Sequence, residues 1–245
     1  MKNLVEVKNL KKNYGLKNAV KDISFEIKEN EILGLLGPNG CGKTTTIGMM
    51  LGLLKPTSGE IFIDGKKIEE SRIEILKKIN FISPYIELPK KLTVRQNLIV
   101  YGKLYNVENL NQRVEYLIEK LRLSDLLDRI TGELSSGQKN RISLAKALIN
   151  DPIVLLLDEP TASLDPEIGD YVRTFLEDYK KEKKISILLA SHNMNEVTRL
   201  CRSILMMKEG IIIDKGNPEE LIKKHGRQNL EEVFLKLSRS NNEYN

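Results

Sequence analysis

Apolar residues follow two rhythms along this chain. Near the start they alternate with polar ones, at Val5 and Val7 and then at Val20, Ile23, Phe25 and Ile27. That period of two predicts half-buried strands, and the opening reads as an antiparallel pair. Ile32-Leu33-Gly34-Leu35-Leu36 and Ile153-Val154-Leu155-Leu156-Leu157 are unbroken apolar runs instead, as in strands buried on both faces. Glu60 to Ile63 followed by Asp64-Gly65 predicts a hairpin. A helix is expected over 71–79 and a short strand over 79–82. From 92 to 150 the rhythm becomes helical: Leu98, Tyr101, Leu104 and Tyr105 recur on one face, and so do Val114, Leu117, Ile118 and Leu121. Beyond 153–157 the pattern predicts a helix at 167–181, a strand at 185–189, a helix at 194–201 and a strand at 204–207. Glu209-Gly210 then turns the chain into Ile211-Ile212-Ile213. Short helices at 218–224 and 229–237 precede a polar tail at 238–245.

Strands alternating with helices predict an α/β fold with a mostly parallel core sheet. Residues 1–237 read as one domain. Residues 1–84 and 151–225 form its core and an N-terminal antiparallel β subdomain. Residues from about 85 to 150 form an inserted helical subdomain, and 226–245 hold the C-terminal helix and tail. No internal repeat and no dividing linker is evident.

Composition narrows the function classes. The chain has 245 residues, 40% hydrophobic, 30% charged and 5% aromatic, which suits a soluble globular protein. Its net charge of +5 comes from scattered pairs such as Lys11-Lys12 and Lys77-Lys78. No basic stripe interleaves with aromatics, so a dedicated nucleic-acid surface is disfavoured. The run Lys180-Lys181-Glu182-Lys183-Lys184 reads as the solvated end of a helix, where cations suit the dipole. The two cysteines, Cys41 and Cys201, suggest a reducing compartment and no structural disulfide. No signal peptide is visible behind Met1. No run approaches the roughly eighteen apolar residues of a membrane span. A peripheral place on the cytoplasmic face of the membrane is the expectation.

The chemistry is concentrated in three segments. Gly37-Pro38-Asn39-Gly40-Cys41-Gly42-Lys43-Thr44 matches the phosphate loop GxxxxGK[ST], and it lies between an apolar strand and a helix-like stretch opening at Thr45. Glycines let the main chain curl so that several N–H groups aim at one phosphate. Lys43 can reach the β- and γ-phosphates, and the Thr44 hydroxyl can ligate Mg²⁺. Asp158-Glu159 ends the buried run 153–157, at the carboxyl end of a strand where α/β sheets bind ligands. Asp158 can help hold the metal, and Glu159 can orient and deprotonate water. Leu134-Ser135-Ser136-Gly137-Gln138 opens a strongly helical stretch, whose N-terminus attracts phosphate.

Together these segments resemble the ATPase subunit of ATP-binding cassette transporters, over nearly the whole chain. The family signature is LSGGQ, and this chain departs from it at Ser136. Ser135 and Gly137 match the residues that touch the γ-phosphate across the dimer. Ser163-Leu164-Asp165 matches the loop that links the two sites of a dimer. His192, in Ala190-Ser191-His192-Asn193, matches the switch histidine, and Tyr14 matches the aromatic that stacks on adenine. After the strand ending near Ile82 the family places a glutamine that contacts Mg²⁺ and reports to the membrane partner. Here Pro84 stands at that position, with Ser83, Tyr85 and Glu87 as nearby polar candidates to replace it.

The resemblance implies a P-loop cassette ATPase fold, ATP and Mg²⁺ as ligands, and a head-to-tail dimer of this chain with a second copy or a homologous subunit. It also implies separate transmembrane permease subunits. The segment Asn229 to Leu237 resembles the terminal helix of subunits from two-component exporters, which favours export. Two other readings stand beside it: a soluble cassette ATPase acting on nucleic acid or ribosomes, and a nucleotide-dependent regulator that does not hydrolyse. The single cassette opposes the first, and Glu159 and His192 oppose the second.

Overall fold

A computed structural model describes residues 2–84, 86–162 and 164–239. Tyr85 and Ser163, and the tail beyond 239, lie outside the described residues. The chain opens with β1 (Asn3–Tyr14), β2 (Lys17–Lys28) and β3 (Ile32–Leu36). Then come α1 (Lys43–Met50), β4 (Ser58–Ile63), β5 (Lys66–Lys67) and α2 (Arg72–Leu76). After them run β6 (Ile79–Ile82), α3 (Val94–Leu104), α4 (Leu110–Lys120) and α5 (Ser136–Leu148). The second half holds β7 (Val154–Asp158), α6 (Pro166–Lys183), β8 (Ser186–Ser191) and α7 (Met194–Leu200). It closes with β9 (Ser203–Lys208), β10 (Ile211–Gly216), α8 (Pro218–His225) and α9 (Leu230–Arg239). Contacts divide the chain into two units, 1–75 with 186–245, and 76–185.

In the first unit, β1 pairs antiparallel with β2 and with β4. The alternation read from Val5, Val7, Ile23 and Ile27 is the reason: these side chains are buried while Glu26 and Lys28 between and beyond them are exposed. Behind that sheet β3 lies parallel to both β8 and β9, and β10 runs antiparallel to β9. Every residue of β3 and β8 is buried, which explains their unbroken apolar character.

In the second unit β6 and β7 pair in parallel, with Ile82 opposite Leu157. Three helices, α3, α4 and α5, fill the segment between them. Leu98, Val114, Leu117, Leu121, Ile142 and Leu148 form their buried face. α3 begins with a capping box, in which the Thr93 hydroxyl accepts from the Gln96 N–H and the Gln96 side chain accepts from the Thr93 N–H. The helix expected over 71–79 is shorter than its sequence suggests. It stops at Leu76 because Ile79 is taken into β6, where it pairs with Val154.

Candidate nucleotide site

Each unit carries one constellation of the residues singled out above. In the first unit, β3 delivers the chain into the phosphate loop. Gly40 and Gly42 adopt positive φ, at 79° and 113°. A side chain at Gly42 would sit 2.6 Å from the Ala19 carbonyl oxygen and 2.7 Å from Met207 Cε. One at Gly37 would meet the Met207 carbonyl oxygen at 2.4 Å. The curl is therefore built against β2 and β9 and admits no Cβ at these points. Lys43 folds back into it, 6% exposed, with Nζ donating to the Gly37 and Pro38 carbonyls at 2.6 and 3.2 Å. Pro38, Asn39, Gly40 and Thr44 are exposed at the mouth, and Thr45 is half-buried. Cys41 is buried beneath the loop, and burial pushes its thiol pKa up. It is a packed filler rather than a reactive thiolate.

The N-terminus of α1 differs from those of α3, α5, α6 and α8. Those four have a side chain that caps the first turn. At α1 the cap position is Gly42, which has no side chain to offer, and the first turn holds no acidic residue. No side chain of its own neutralises the positive end of this helix dipole, which suits an anion.

His192 belongs to the same unit. Leu36 and Ser191 are in register at the ends of the adjacent parallel strands β3 and β8. Gly37 and His192 therefore leave the sheet side by side. His192 is exposed, and its neighbours are fixed: the Ser191 hydroxyl donates to Glu196 at 2.8 Å, and Asn193 Oδ1 caps α7 by accepting from the Asn195 and Glu196 N–H groups. Tyr14 ends β1, 47% exposed. Lys12 Nζ lies 4.9 Å from its ring centre.

The second unit holds the acidic pair. Asp158 ends β7 and is 2% exposed. Glu159 follows with φ of 53°, in the left-handed region that a non-glycine residue adopts at a cost. This turn re-aims the carboxylate at the end of a buried strand. β6 exits at the same edge, since Ile82 is opposite Leu157, so Ser83 and Pro84 emerge beside Asp158. The signature lies elsewhere in this unit, on α5. Ser135 is its N-cap: its hydroxyl accepts from the Gln138 N–H at 3.2 Å, and Gln138 Oε1 accepts from the Ser135 N–H at 3.0 Å. Gln138 thus has a local capping task. Ser135 and Ser136 are exposed, with Gly137 half-buried behind them. Asp165 caps α6 by accepting from the Ile168 N–H at 3.0 Å. Ser163, its partner in the dimer-linking loop, lies outside the described residues.

Three comparisons bear on these constellations. The family profile described as "ABC transporter" matches residues 20–162. The chain belongs to the ABC transporter family. A curated ABC relative, Nod factor export ATP-binding protein I of Paraburkholderia xenovorans, is 39% identical over 89% of this chain and 72% of its own. A solved ATP-binding subunit of an ABC transporter superposes with a TM-score of 0.89 at 26% identity, over 96% of this chain and 99% of that one. A dimeric ATP-binding cassette in a post-hydrolysis state, bound to ADP and Pi, superposes with a TM-score of 0.81 at 26% identity. It aligns over 87% of this chain and 98% of its own. The chain is thus an ABC-type ATPase with the P-loop ABC fold that its motifs announced.

Two of the residues singled out carry oxygens of the hard type that Mg²⁺ takes. Among the described residues no three His, Cys, Asp or Glu side chains gather into a metal nest. Thr44 in the first unit offers an exposed hydroxyl, and Asp158 in the second a buried carboxylate. Mg²⁺ is commonly bound through one or two such protein oxygens together with substrate phosphates. Sequence reasoning missed Lys146 and Asn80, both buried in the second unit. A lysine on the helix after the signature reads as solvated, and nothing in the periodicity flags it.

Proposed function

We propose that this chain hydrolyses Mg·ATP at composite sites in a head-to-tail pair and so drives separate membrane-spanning subunits, in the export direction. The observation that carries this reading is the phosphate loop leaving β3 beside His192 leaving β8, with no side chain capping the helix that the loop enters. Export is supported by the likeness to a Nod factor export subunit, and pairing by the likeness to a dimeric cassette. No helix among the described residues is long and apolar enough to cross a membrane, so the translocation path is assigned to other subunits. A peripheral position on the cytoplasmic face follows from that assignment.

In this reading backbone N–H groups of the phosphate loop and the Lys43 ammonium hold the phosphates, and Tyr14 stacks on the adenine. Thr44 and Asp158 would hold Mg²⁺, which would supply positive charge to the bound phosphates. Glu159 takes a proton from water as the water oxygen bonds to the γ-phosphorus and the bond to the ADP oxygen breaks. His192 faces the γ-phosphate. Ser135, Ser136, Gly137 and Gln138 of a second copy close the site, and Asp165 links the two sites. The Ser135 hydroxyl accepts from its own helix, which leaves its proton to donate to a phosphate oxygen.

Glu159→Gln tests the assignment. Turnover should fall at least about a hundredfold, while Mg·ATP binding persists and the pair is trapped closed. Steady-state hydrolysis and light scattering after ATP addition report the two effects. Full turnover by this variant overturns the role of Glu159.

A further inference from the structure

Lys146 lies in the third turn of α5, 8% exposed. Among the described residues it forms no ion pair with a carboxylate. A buried ammonium without a counter-ion is unfavourable, and an apolar side chain would fill the same volume at lower cost. What the amine contributes is direction. Nζ lies 3.4 Å from Asn80 Oδ1 and 3.4 Å from the Phe81 carbonyl oxygen, both on β6. It also lies over the Phe81 ring at 4.8 Å and the Tyr101 ring, on α3, at 5.4 Å. Asn80 is itself fixed, since its Nδ2 donates to Asn150 Oδ1 at 2.9 Å and its Oδ1 accepts from the Phe81 N–H at 2.9 Å. The adjoining cavity, of about 10 Å³, holds at most one water and cannot solvate the charge.

We infer that Lys146 is a positioning residue, whose ammonium clips the end of β6 to the signature helix so that residues 86–88 and the Ser135 cap move as one body. The consequence for hydrolysis rests on the proposed function, in which that cap closes a nucleotide site. The clip also bypasses residue 84, where proline has no side-chain donor or acceptor.

Burial pushes the Lys146 pKa down to about 8, so the clip weakens in mildly alkaline solution. The titratable groups facing it are few. Tyr101 comes from α3, and Glu87, across the same cavity, is held by Lys90 at 2.7 Å. On α5 itself, Lys139 acts on the Glu87 carboxylate. β6 presents only the neutral Asn80 and Phe81.

Hydrogen exchange on the intact chain at one fixed pH near 7 tests the clip without reference to activity. Lys146→Met keeps the volume and removes the donors; Lys146→Arg keeps charge and donors. Expected for Lys146→Met is exchange severalfold faster at both 86–88 and 135–139, with Lys146→Arg restoring protection at both. Loosening of one segment alone, or of neither, overturns the inference. Global unfolding, seen as loss of protection in the buried strand 32–36, is excluded within the same data set, and Lys146→Leu then replaces the Met variant. Mg·ATP turnover from pH 6.5 to 9.5 supplies the second readout. The wild-type rate should drop severalfold through about pH 8, the Lys146→Arg rate should not, and KM should stay within twofold. A drop retained by Lys146→Arg overturns the link to turnover. Coupled exchange in a chain that never hydrolyses ATP leaves the clip standing and removes the proposed function.

Discussion

At Gly42 three parts of the first unit crowd together, with Ala19 of β2 and Met207 of β9 against the loop. Gly42→Ala places a methyl group into that contact and onto a φ of 113°. A loss of about 2 kcal/mol or more in urea denaturation is expected, together with loss of Mg·ATP binding. Lys146 gives a second residue-scale expectation, with a definite sign. Its pKa is near 8 in the folded chain, against an ordinary lysine value of 10.5. Between these values the unfolded chain binds the extra proton, so the contribution of Lys146 to stability rises with pH across that window. Below it the buried charge is a standing penalty of about 3 kcal/mol. Lys146→Met removes the penalty. The stability difference between variant and wild type should therefore shrink as pH rises from 7.5 to 10.5, and a constant difference would contradict the burial argument. Lys146 was illegible in the sequence for a plain reason. Its burial is decided by Phe81 and Tyr101, which are far away along the chain, and helical periodicity places no mark on it.

Helix starts decide much at the next scale. The cap of α5 and its expected role toward a γ-phosphate share the same serine. Ser135→Asp separates the two, because aspartate caps as well as serine but carries a negative charge. Thermal stability should stay within about 1 kcal/mol of wild type, while ATP-driven pairing is lost. Pairing that survives in Ser135→Asp would count against Ser135 as a γ-phosphate ligand. At this scale the sequence was widely legible. β3 and β7 announced themselves as buried apolar runs, and β1 and β2 as alternating ones, because each burial pattern follows from where the strand sits in a sheet. α2 was overread, since Ile79 satisfies both a helical face and a strand and only its pairing with Val154 decides. The turn at Glu159 carries no local signal, because its left-handed backbone is imposed by the end of β7 and not by a glycine or asparagine.

The whole molecule is expected to work as a pair and through a partner. Without nucleotide the wild-type chain should run as a monomer in light scattering, and Glu159→Gln with Mg·ATP should run as a dimer. With a net charge of +5, weak adsorption to anionic lipid is expected to vanish in moderate salt, since such attraction is screened within about 10 Å. Retention on salt-washed membranes should therefore require the permease, and sedimentation with and without it checks the point. Glu159 carries a longer consequence. Asparagine tolerates its backbone geometry better than glutamate does, so Glu159→Asn should fold at least as well while hydrolysing nothing. On the proposed reading the left-handed turn is a standing tax on folding, levied for the sake of one carboxylate.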